Sequence, residues 1–117
     1  MWRAVITLFA MCVATAAGAH AFLDHAVPPV GATVGSSPPA LRLYFSERIE
    51  PRFSAVELST SAGRPVKIGA VAVDPHDPFA LAVALPPLPP GRYRVHWHAV
   101  SVDRHPSEGG FEFEVRP

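Results

Sequence analysis

Sulfur is almost missing from this sequence. Its one cysteine, Cys12, and its two methionines, Met1 and Met11, all fall at the extreme N-terminal end. No disulfide can form within the chain, so an ordinary apolar core must hold the fold. Soft thiolate and thioether metal ligands are absent from everything that follows. Charge of one sign is missing too: Lys and Arg total 10, and Asp and Glu total 10. The basic residues are scattered, which argues against nucleic acid or an anionic membrane surface as a partner. No apolar run is long enough to remain as a membrane span, which needs about 20 residues. No stretch keeps a helical period for three turns.

The one apolar run that exists, Val5 to Ala17, is interrupted only by Thr7 and Thr15. Arg3 precedes it and the small residues Ala17-Gly18-Ala19 follow it, the arrangement of a secretory signal peptide. Met11 before Cys12 does not suit a lipoprotein signal, where a small residue is expected. We therefore expect a signal peptide over residues 1–19 and one exported, soluble domain over 20–117. Ala19-His20-Ala21 also satisfies the small-x-small rule, so a cut after Ala21 is an open alternative that discards His20.

Proline is abundant, with 14 residues, all after the signal and many in pairs. Lacking a backbone N–H, proline is excluded from helix interiors and central strands. Between the prolines, apolar residues alternate. Leu41, Leu43 and Phe45 fall on one face, against Arg42 and Tyr44. Val56 and Leu58, then Leu81, Val83 and Leu85, then Phe111, Phe113 and Val115 repeat the pattern. Period two over short runs means half-buried strands. With Phe22 to Val27 and the Val66 to Val73 region, about seven strands are expected. Tyr93, Val95 and Trp97 share a face of the longest, which Gly91 introduces. A mid-strand Trp with a Tyr near the strand start suits an all-β, immunoglobulin-like Greek-key sandwich, where the Tyr hydroxyl ties down a corner.

Two features bear on chemistry. Cleavage after Ala19 makes His20 the N-terminus, whose α-amine and imidazole Nδ1 can close a six-membered ring on one metal ion. An α-amine has a pKa of about 8, so a metal displaces its proton at little cost. Later comes Val100-Ser101-Val102-Asp103-Arg104-His105-Pro106. If this is strand, Asp103 and His105 project to one face and Pro106 ends the strand. Together with His20 they offer three nitrogens and a carboxylate oxygen, a mixed donor set that suits Cu(II). A bare Asp-x-His is equally a surface turn in which Asp supports backbone N–H groups. A His at the cleavage point can likewise be incidental.

The motif Tyr93-x-Val95-x-Trp97, then Val100-Ser101-x-Asp103-x-His105-Pro106, then Gly109 or Gly110 leading into Phe111-x-Phe113-x-Val115, resembles the C-terminal signature of the CopC and PcoC copper-resistance proteins. The start resembles them as well: His20-Ala21-Phe22-Leu23 after the signal, the Pro28 and Gly31 region, and Leu43-x-Phe45-Ser46-Glu47. The resemblance covers the whole exported chain. It implies a Greek-key β-sandwich, a periplasmic location and a role in copper buffering, delivery or resistance, without catalysis. It implies one Cu(II) per chain, held by His20, Asp103 and His105, with Glu47 matching an acidic position near that site. It implies a CopD-type inner-membrane protein as partner, and a monomer is expected. The founding members carry a Met-rich Cu(I) loop that this sequence lacks, so a Cu(II)-only member is expected.

The remaining histidines are weaker candidates. His96 and His98 share the face of their strand opposite Trp97, which suggests an exposed or structural role. His25 reaches the metal only by an irregular chain path, and Asp74-Pro75-His76-Asp77-Pro78 reads as a solvated loop. Two other functions compete. Lytic polysaccharide monooxygenases also present an N-terminal His at copper, but a carboxylate in the copper plane and so short a chain argue against that oxidative chemistry. A metal-free Ig-like interaction module predicts that Asp103 and His105 are irrelevant to copper.

Overall fold

The computed structural model describes residues 22–117. The expected signal peptide, and with it His20, lies outside the described residues. Among the described residues nine strands form: β1 (Leu23–Val27), β2 (Thr33–Val34), β3 (Ala40–Phe45), β4 (Ala55–Thr60), β5 (Pro65–Val66), β6 (Ala72–Asp74), β7 (Asp77–Ala84), β8 (Gly91–Val100) and β9 (Pro106–Val115). A 3-10 turn, Pro51–Phe53, lies between β3 and β4. Among the described residues no helix is long and apolar enough to cross a membrane.

The strands make two sheets, ordered β1-β3-β7-β6 and β2-β9-β8-β4-β5. Every pairing is antiparallel except β2 with β9. This is the two-sheet all-β sandwich expected from the alternation, with more strands than the seven anticipated. The excess is β2, which no pattern marked, and a second strand in the Val66 to Val73 region, where β5 and β6 stand in place of one; each of these three is two or three residues long. A run that short carries no period for a sequence reading to detect.

The apolar alternation becomes the core. Leu41, Leu43, Phe45, Leu81 and Val83 from one sheet are buried against Val56, Leu58, Tyr93, Val95, Trp97, Phe111, Phe113 and Val115 from the other. Burying each such large side chain stabilises the fold by about 1.5–3 kcal/mol, which replaces the missing disulfides. Tyr93 donates its hydroxyl proton to the carbonyl of Pro89, the corner tie expected of it. Phe45 meets Trp97 edge to face, with ring centroids 5.2 Å apart, and so joins the end of β3 to β8.

The β8–β9 hairpin is the longest pairing and runs from Gly91↔Val115 to Val100↔Pro106. Gly109 sits opposite Trp97. A Cβ there would come within 2.6 Å of the indole, so only glycine lets β9 cross the ring. Pro106 begins β9 and does not end a strand. The first position of a strand tolerates a missing N–H.

Candidate metal centre

Asp103 and His105 do not lie on a strand, contrary to the expectation. They belong to the connection between β8 and β9, residues 101–105. What brings them together is a turn built on Ser101, which is 1% exposed. The Ser101 N–H donates to the His105 carbonyl at 3.1 Å, and the His105 N–H donates to Ser101 Oγ at 3.1 Å. The Arg104 N–H closes the turn on the Ser101 carbonyl at 2.8 Å. Arg104 takes the left-handed conformation, with φ 69°, and this reverses the chain between the two candidate ligands.

On that frame the side chains converge. Asp103 accepts a hydrogen bond from the Ser101 hydroxyl through Oδ1. Its Oδ2 lies 3.1 Å from His105 Nδ1, and both side chains are 48% exposed. The Asp103 carboxyl is held below the ordinary carboxylate range, chiefly by the Ser101 hydrogen bond. Desolvation opposes this, and the hydrogen bond and charge of His105 add to the lowering. The result is an ionised carboxylate beside an imidazole at the mouth of the sandwich, two hard-to-borderline donors on a fixed turn.

Backbone bonds tie this turn to the chain segment after β3. The Val102 N–H donates to the Arg48 carbonyl at 3.0 Å, the Glu50 N–H donates to the Val100 carbonyl at 2.8 Å, and Ile49 bridges Ser101. Glu47, half-buried, directly precedes that strap. The same segment receives the start of the described chain. The Ser46 N–H donates to the Phe22 carbonyl at 2.9 Å, and the Phe22 N–H donates to Ser46 Oγ at 2.9 Å. Phe22, Ser46–Glu47–Arg48 and Val102–Asp103 are therefore consecutive neighbours at one end of the sandwich.

Among the described residues no three His, Asp or Glu side chains already gather as a metal site. Asp103 and His105 form a pair, and a complete ligand set needs donors from elsewhere. The other described histidines lie on other elements or turns. His25 stacks on Tyr44 with centroids 4.2 Å apart and pairs with Asp24 at 2.8 Å. The β-bulge between Leu23 and His25 sets that facing. His76 is exposed in the β6–β7 turn. That turn is less solvated than expected: Asp74 is 5% exposed, accepts the His76 N–H at 2.9 Å and meets Arg42 at 3.4 Å. His96 and His98 face outward from β8, as anticipated. Ser101 is the residue to which the sequence reading gave no role. A Ser two residues before an Asp and four before a His is the signal that could have shown it.

The CopC domain model matches residues 23–116. Protein YobA of Escherichia coli K12 is 37% identical over 99 residues, covering 84% of this chain and 80% of that protein. Copper resistance protein C of Escherichia coli is 36% identical over 114 residues, covering 91% and 89%. The crystal structure of PcoC, a methionine-rich copper resistance protein from Escherichia coli, superposes with a TM-score of 0.77 at 36% identity, covering 84% of this chain and all of that one.

Proposed function

The chain belongs to the CopC family of copper-resistance proteins, and from that premise we propose that it is an exported, periplasmic Cu(II) carrier or buffer. One ion is held by the α-amine and imidazole of His20, the carboxylate of Asp103 and the imidazole of His105, with Glu47 beside the site. The signal is residues 1–19, and the domain 20–117 binds copper as cargo, without turnover.

The observation that carries this reading is the Asp103–His105 pair, fixed by Ser101 and tied through Arg48 to the segment that meets Phe22. His20 is two residues before Phe22, and two residues span at most about 7 Å. His20 is thereby tethered to the segment that Arg48 joins to the pair. An ion bound there would be held by the carboxylate of Asp103 and the imidazole of His105. The Ser101 hydroxyl keeps the carboxylate oriented and charged. Beyond Cys12 the sequence has neither Cys nor Met, which supports a Cu(II)-only site and sets this chain apart from methionine-rich PcoC. The copper acceptor in this reading is a CopD-type inner-membrane protein.

A competition titration of the protein beginning at His20, with Cu(II) and a chromophoric chelator, tests the ligand set. Asp103→Asn should weaken Cu(II) binding by at least about tenfold, and His105→Ala by more; tenfold corresponds to about 1.4 kcal/mol. Adding one glycine before His20 displaces the α-amine without touching the fold and should also release the ion. Equal affinity in all four proteins would remove the proposed site.

A further inference from the structure

The outward face of the second sheet carries a ladder of cross-strand ion pairs. Arg92 stands 3.9 Å from Glu114 and Arg94 stands 3.6 Å from Glu112. Two residues further along β8 the ladder changes character. His96 takes the place of an arginine, with Nδ1 4.0 Å from Glu57 on β4 and Nε2 3.6 Å from Glu108 on β9. His98 follows on the same face and pairs across the sheet with Glu108. Glu57 pairs with His96 in register. The residue opposite His96 on β9 is Gly110, which presents no side chain.

An arginine can only act as a cation, whereas a neutral imidazole is a metal ligand. The substitution of His for Arg at two consecutive outward positions of one strand, flanked by carboxylates on both neighbouring strands, therefore changes what this patch can do. Strands lie about 4.8 Å apart, and alternate residues along one strand lie about 6.8 Å apart. The sheet thus sets two imidazoles and two carboxylates at neighbouring positions of one face, with His96 already near both carboxylates. The donors are borderline nitrogen and hard oxygen, a set that suits Cu(II), Zn(II) or Ni(II) and lacks the soft sulfur that selects Cu(I).

We propose that His96, His98, Glu57 and Glu108 form a second, surface site for a borderline divalent transition-metal ion, built on β4, β8 and β9 and separate from the Asp103–His105 turn. No three of these groups already converge in the structure, so the site closes on its ion by rotation of exposed side chains. The side chains of His96, Glu57 and Glu108 are 50%, 79% and 69% exposed and have that freedom. Ordering them costs side-chain entropy, which makes this the weaker of two sites. Arg94, two residues from His96 on the same face, is engaged by Glu112, which offsets its repulsion of an incoming cation.

The test is a titration of the full exported chain with two equivalents of Cu(II), followed by competition with a chelator and by amide NMR. Wild type should take up a tight first equivalent and a weaker second. The second should broaden amides of residues 94–98 and their neighbours at 57 and 108–110. The double variant His96→Gln/His98→Gln should lose the second equivalent and keep the first, and Glu57→Gln should weaken the second without abolishing it. In His105→Ala the broadening on the sheet should persist, which reads this site independently of the first. Absence of a second equivalent in wild type, or a second equivalent that survives the double variant, would overturn the proposal.

Discussion

At the scale of single residues, the turn that carries Asp103 and His105 depends on Ser101 more than on either candidate ligand. Its hydroxyl orients Asp103, its Oγ accepts the His105 N–H, and its own N–H and carbonyl close the turn. Ser101→Ala should cost about 1 kcal/mol of stability, because the His105 N–H loses its partner. It should also weaken Cu(II) binding by about 10–100-fold, as losses of orienting groups do. Urea unfolding and a copper competition assay on one variant separate the two effects. Unchanged copper affinity would mean that Asp103 and His105 orient themselves. The pairing of Asp103 with His105 was legible in the sequence as an Asp-x-His, yet for a different reason from the one that holds. A strand would set the two side by side through its alternation, whereas here a left-handed residue at Arg104 and a buried serine do so. Alternation is visible in a sequence, but a non-glycine residue with positive φ is not.

At the scale of elements, the β8–β9 hairpin transmits the core to the site. Trp97 packs on Phe45 at the end of β3 and passes under Gly109 of β9. Gly109→Ala should destabilise the protein by about 1–3 kcal/mol, the usual cost of overpacking, and should change the Trp97 fluorescence of the native state. A neutral effect on the unfolding midpoint would show that β9 can move off the indole. Long strands were readable because each buries one face: β3, β4, β8 and β9 show the period-two pattern in both sequence and burial. The short strands β2 and β5 were not, since their two residues each belong to a sheet only through pairing with β9 and β4. Pro106 misled in the same way. Its missing N–H marks a boundary, but sequence cannot say whether a strand lies before it or after it.

At the scale of the whole molecule, a disulfide-free sandwich gathers three chain segments at one end: the start of β1, the link after β3 and the β8–β9 turn. Backbone hydrogen bonds between Phe22 and Ser46 and between Arg48 and Val102 join them. Such long-range assembly is invisible to spacing alone, and the family resemblance supplied what spacing could not. Native mass spectrometry of the full-length gene product, recovered from the periplasm of an expression host and given one equivalent of Cu(II), tests the central claim most directly, because it reports the N-terminal residue and the metal count together. The account predicts a chain that begins at His20 and retains one copper, with retention lost in His105→Ala. A chain that begins at Phe22, or a His20 form that retains no copper, would contradict it.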